Sequence, residues 1–110
     1  MFEGDGYLLR IFIGEADKHH GIPLYEWIVR EAKNKGIAGA TVFRGIAGYG
    51  SHSRIHSAKY LDLSADLPMV IEIVDEVEKL EAFLPVLDEA ISEGVGTLQP
   101  VSLRFYRPKK

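Results

Sequence analysis

Two β-rich stretches, residues 7–13 (YLLRIFI) and 67–74 (LPMVIEIV), each stand ahead of a segment with helical spacing, and this order restricts the fold more than any other feature of the chain. The first is bounded by Gly6 and Gly14, with Arg10 as its one charge. After a polar connection, Pro23 sits where a helix tolerates proline best, at the first helical position, and Leu24, Trp27, Ile28 and Ala32 follow at helical intervals. Asn34, Lys35 and Gly36 form the stop, so a helix is expected over residues 23–35. Residues 39–45 read as a second strand. In the later half Pro68 suits a strand start or an edge, and a second helix is expected over residues 75–93, with Val77, Leu80, Leu84, Leu87 and Ile91 on its apolar face and Gly94 ending it in a left-handed conformation. Pro85 removes a hydrogen bond from that helix and predicts a kink or a restart. Residues 94–100 read as a loop and 101–106 (VSLRFY) as the last strand, before a basic tail.

The order strand, helix, strand, strand, helix, strand is that of an α+β, ferredoxin-like βαββαβ sandwich. A four-stranded antiparallel sheet carries two helices on one face, with a long loop between strands two and three. At 110 residues this is one domain, residues 1–110. Trp27, Phe12, Phe43, Phe83 and Phe105 are expected to pack, and Asp75, Glu76, Glu78 and Glu81 to start the second helix on its solvent side. Leu9, Ile11, Ile71, Ile73, Leu103 and Phe105 would lie near water if they point to the open face, for which self-association is the usual remedy.

Hydrophobic content of 46%, 26% charged residues and a net charge of −3 suit a globular protein and argue against nucleic-acid or membrane-surface binding. No cysteine is present, so thiol chemistry and disulfides are excluded. The opening MFEGDGYLLRIFIGEAD is neither a secretory signal nor a membrane span, so a cytoplasmic protein is expected.

The stretch 36–64, GIAGATVFRGIAGYGSHSRIHSAKYLDLS, runs from a strand into a long polar loop, and long loops in small domains tend to be functional. Its glycines Gly45, Gly48 and Gly50 let backbone N–H groups approach an anion, or merely permit turns. Neither a Walker A nor a dinucleotide fingerprint is present. His52 and His56 lie four apart, as metal ligands can on a helix, but no acid stands near them before Asp62; adjacent His19 and His20 point apart in most backbone conformations. Ser51, Ser53 and Ser57 have no orienting acid, so no enzyme is expected. Tyr49, Arg54, Lys59 and Tyr60 suit a protein-docking surface better than a nucleic-acid one.

Residues 36–42 (GIAGATV), the glycines Gly45, Gly48 and Gly50, and residues 67–74 resemble the PII-type signalling proteins, in particular their small PII-like branch. That resemblance implies a homotrimer with adenine nucleotides bound in clefts between subunits. It also implies a long loop, the T-loop, that changes conformation with the ligand over residues 47–58 and docks on a protein such as a membrane transporter or ion channel. Carried over by position, the ligand contacts become Gly45, Gly48 and Gly50; Gly94, Gly96 and Thr97 in a turn after the second helix; and Arg104 and Arg107. Thr97 stands where PII proteins have a phosphate-binding lysine, which shifts the expectation from ATP toward AMP, ADP or cyclic AMP, with or without magnesium. The alternatives are a divalent-metal trimer similar to the cation-tolerance proteins, using His52 and His56, and an interaction subunit with no small ligand.

Overall fold

The computed structural model describes residues 2–49, 56–57, 66–106 and 108, with the backbone alone at 2, 3, 56 and 57. Strand β1 (Phe2–Gly14) runs into a short hairpin, β2 (Lys18–His19) and β3 (Ile22–Pro23), then helix α1 (Leu24–Asn34). After these come β4 (Gly39–Arg44), the two-residue strands β5 (Ala47–Gly48) and β6 (His56–Ser57), β7 (Pro68–Glu76), helix α2 (Val77–Ala90) and β8 (Val95–Phe105). Among the described residues β4, β7, β1 and β8 form an antiparallel four-stranded sheet in that spatial order, the expected ferredoxin-like α+β arrangement.

Register accounts for the core. Leu9, Ile11 and Ile13 of β1 stand opposite Ile73, Ile71 and Met69 of β7, and alternation turns all six to one face. Ile28 and Ala32 of α1 and Leu80, Phe83 and Leu87 of α2 join them in one buried cluster. Leu9, Ile11, Ile71 and Ile73 therefore lie under the helices, and Leu103 is buried against Gly6, where a side chain would collide with it. Phe83 packs as expected and Trp27 lies partly buried against the core. Phe12 and Phe43 do not, at 41% and 51% exposure, because each is one residue out of step with the buried set and points to the opposite face.

The stop of α1 is a Schellman closure. Gly36, at φ +76, lets its N–H reach the Lys33 carbonyl and that of Ile37 reach the Ala32 carbonyl. At the other end Pro23 is the cap rather than the first helical residue, and the Leu24 N–H donates to the Asp17 carbonyl at 2.7 Å. The polar connection before it is a hairpin with His20 and Gly21 at φ 52 and 79, a primed two-residue turn. That turn corrects the expectation for the two histidines: the His19 ring meets His20 edge-on at 4.1 Å and Trp27 at 4.5 Å.

Four element boundaries differ from expectation by more than one residue. β1 begins at Phe2, not Tyr7. β7 runs on to Glu76, so Asp75 belongs to a strand and is buried at 2% exposure instead of starting α2 on its solvent side. α2 continues through Pro85 without restarting and ends at Ala90, so Gly94 is not its left-handed cap. β8 begins at Val95, not Val101, and takes in Pro100, tolerated because β8 is an edge strand.

Candidate functional site

The chain leaves the sheet for its long loop through β4 and returns through β7, and both ends are fastened. The Gly45 N–H donates to the Pro68 carbonyl at 2.7 Å, and a Cβ on Gly45 would lie 2.6 Å from Pro68 Cγ, so this approach requires glycine. Gly48 pairs with His56 across β5 and β6, and its missing Cβ would lie 3.0 Å from the same proline ring. The turn after β1 supplies the remaining ties. The Glu15 N–H donates to the Leu67 carbonyl (2.8 Å), the Ala16 N–H to Asp66 Oδ1 (2.7 Å) and the Arg44 guanidinium to Glu15 Oε1 (3.0 Å). Asp17 accepts the Gly14 N–H at 2.9 Å, and its carbonyl holds the start of α1. Loop base, turn and helix are thus one hydrogen-bonded unit. Sequence reasoning assigned Glu15, Asp17 and Asp66 no role, since their partners lie far off in sequence; the one local signal is Gly14 beside a run of acids.

A cleft of about 420 Å³ opens between α2 and β8, walled by Leu9, Ile11, Leu84, Leu87, Ile91 and Leu98, with Asp88 as its charged side chain. Gly94 and Gly96 both line it. Gly94 has φ +152, and a Cβ there would come within 2.8 Å of the Phe12 carbonyl oxygen. At Gly96 the nearest atom to an added Cβ would be 3.8 Å away, so glycine here leaves room without being required by the backbone. The expected glycine turn from Gly94 to Thr97 is not formed. Gly96 and Thr97 are β8 residues paired with Ile11 and Arg10, and alternation turns Gly96 to the cleft and Thr97 to the opposite face.

One copy of the chain does not gather all the expected ligand residues. The pairings Arg44 with Met69, Met69 with Ile13, and Val95 with Phe12 place Gly45 and Gly94 at the same end of the sheet but on opposite edges. Three interstrand spacings, roughly 14 Å, separate them. Arg104 pairs with Glu3 towards the other end of β8, its guanidinium 5.8 Å from the Tyr106 ring centroid. The strand between Arg104 and Gly96 spans roughly 27 Å. Tyr49 is 70% exposed. Gly50, His52, Arg54, Lys59, Tyr60 and Arg107 lie outside the described residues, as does the His56 side chain. Among the described residues no three His, Cys, Asp or Glu side chains gather as a metal site, and no helix is long and apolar enough to cross a membrane.

Residues 6–103 match the DUF190 family (Uncharacterized ACR). A UPF0166 protein of Aquifex aeolicus (strain VF5) is 43% identical over 98 residues, covering 89% of this chain and 92% of that protein. CPII, a nitrogen regulatory PII-like protein from Thiomonas intermedia K12 whose structure was determined bound to ADP, AMP and bicarbonate, is 20% identical, with a TM-score of 0.61 and coverage of 93% of this chain and 91% of that one. CutA1 from Oryza sativa is 10% identical, with a TM-score of 0.58 and coverage of 94% and 84%. The solved structures establish a PII-like fold, and with a family match across nearly its whole length the chain belongs to the DUF190 family.

Proposed function

We propose that this chain is a PII-like regulatory protein that binds an adenine nucleotide between copies of itself and signals occupancy to a partner through its long loop, without catalysing a reaction. The observation that carries this reading is the placement of the glycines. Gly45 follows the edge strand β4, Gly48 lies against the Pro68 ring beside it, and Gly94 and Gly96 are at the β8 edge, all at one end of the sheet. A β8 edge set beside the β4 edge of the next copy would bring the two pairs around one ligand. Repeated head to tail, that contact closes as a ring, which fits the homotrimer implied by the resemblance.

The apolar cleft beside β8 suits the flat face of a base, and the glycine-lined loop base suits backbone N–H groups turned to phosphate. CPII, which shares the fold, was determined with ADP and AMP bound. A ligand between the edges would touch both the base of the loop and the next subunit, and so bias the loop's conformational populations. The partner class this reading favours is a membrane transporter or ion channel, met from the cytoplasm.

Calorimetric titration with AMP, ADP, ATP and cyclic AMP, each with and without magnesium, tests it. Saturable binding near one nucleotide per chain is expected. Gly96→Val should leave the fold intact, because an added Cβ has its nearest neighbour 3.8 Å away, yet abolish binding by filling the cleft. No saturable heat from any nucleotide, in a protein shown to self-associate, would overturn the nucleotide reading. A parallel titration with zinc or copper ions tests the alternative in which loop histidines hold a metal.

A further inference from the structure

Among the described residues that line the cleft between α2 and β8, Asp88 alone carries a polar side chain. Leu84, Leu87 and Asp88 stand three and four residues apart on α2, so helical spacing brings them to one face. Their depths differ. Leu9, Ile11 and Leu87 are buried and form the floor, whereas Asp88 is exposed and stands at the rim. No ion pair to Asp88 forms among the described residues, so its carboxylate is open to a ligand in the cleft.

An aspartate carboxylate accepts hydrogen bonds and donates none, so whatever meets it at the rim must present donors. A base seated on the apolar floor, with its phosphate drawn out toward the glycines of the loop base, leaves its sugar at the rim. Two parts of an adenine nucleoside carry donors. The exocyclic amine stands beside the lone pair of the ring nitrogen N1, which a carboxylate repels. The 2′ and 3′ hydroxyls of the ribose are adjacent and cis, and offer two donors to the two oxygens of one carboxylate. An acidic side chain on ribose hydroxyls is also the arrangement by which dinucleotide-binding folds hold their sugar. Position and chemistry both match Asp88 to the diol.

We propose that Asp88 determines the specificity of the nucleotide site by accepting the ribose 2′ and 3′ hydroxyls of the bound nucleotide. The proposal rests on the reading of the chain as an adenine-nucleotide sensor, and adds which forms of the nucleotide the site takes. AMP and ADP keep both hydroxyls. Cyclic AMP has its 3′ oxygen esterified, and each deoxynucleotide lacks one hydroxyl, so all of these offer a single donor. Because Asp88 is exposed, a missing hydroxyl is replaced by water and the carboxylate is not stranded. The discrimination is therefore about tenfold, and not the roughly ten-thousandfold of a site that buries its hydrogen-bonding groups.

The test titrates the full chain calorimetrically with AMP and ADP, each as the ribonucleotide, the 2′-deoxy form and the 3′-deoxy form, and with cyclic AMP. The wild type is expected to bind each ribonucleotide about tenfold more tightly than either deoxy form, and AMP more tightly than cyclic AMP. Asp88→Ala changes an exposed side chain, is expected to be folded by circular dichroism, and should bind ribo and deoxy forms alike. The ratio of affinities is the readout, because removing a negative charge near a phosphate shifts the ribo and deoxy affinities together. Equal wild-type affinity for ribo and deoxy forms would overturn the proposal and leave the nucleotide reading standing. So would a preference that survives in Asp88→Ala, or cyclic AMP bound as tightly as AMP. No binding of any nucleotide would overturn both. Asp88→Asn decides the matter if Asp88→Ala does not fold: its amide keeps one acceptor, so the preference is expected to shrink, and an unchanged preference would count against the proposal.

Discussion

Asp75 is the residue whose role changes most between chain and fold. Its Oδ2 accepts the Ala38 N–H at 2.8 Å and its Oδ1 the Glu76 N–H at 2.7 Å, so one buried carboxylate ties the entry of β4 to the start of α2. Truncating it leaves the Ala38 N–H without this acceptor beside the core. Asp75→Ala is expected to lower stability by about 1–3 kcal/mol, measured as a shift in the urea midpoint, and Asp75→Asn by less because the amide oxygen still accepts. A wild-type midpoint for Asp75→Ala would show that the tie contributes nothing. In sequence this residue heads an acidic run and resembles a helix start; the backbone donors that recruit it inward become visible only when residues 38 and 75 are adjacent.

Two elements that depart from expectation, α2 and β8, do so because packing and pairing override local preference. Pro85 is exposed while Phe83 and Leu87 are buried, so the helix accepts a missing hydrogen bond on its water side and keeps its core side seated. Pro85→Ala restores the donor and is expected to raise stability by up to about 3 kcal/mol, visible as a higher urea midpoint; an unchanged midpoint would mean that the native helix carries no cost at this position. Residues 95–100 of β8 include Gly96, Gln99 and Pro100, which are poor β-formers, and read as a loop on propensity alone. Their strand state comes from pairing with β1 from Val95 to Phe105.

If copies cover the sheet edges, unfolding is coupled to dissociation. The melting temperature is then expected to rise with protein concentration, by roughly 5 °C or more over a hundredfold range, and a concentration-independent melt would argue for a stable monomer. The proposed assembly would account for a feature of the single chain: Gly45 and Gly94 stand at one end of the sheet but on opposite edges. It would also set the loop base, held by Gly45, Glu15 and Asp66, beside the proposed ligand and the next subunit.

Local periodicity was enough to establish the order of the main strands and helices, the buried face of α1 and the stop at Gly36, because helical spacing and left-handed glycine are properties of neighbouring residues, whereas the face on which Ile71 and Ile73 lie was left open. The PII-like fold was legible for the same reason, from the order and spacing of short stretches. Which way Phe12 and Phe43 point, where Asp75 is buried, that Gly96 is a strand residue facing a cleft, and that Gly45 and Gly94 stand about 14 Å apart were decided by strand register between segments far apart in the chain. Register is a long-range quantity: one residue of slip exchanges core for solvent along a whole strand, and no local propensity records it.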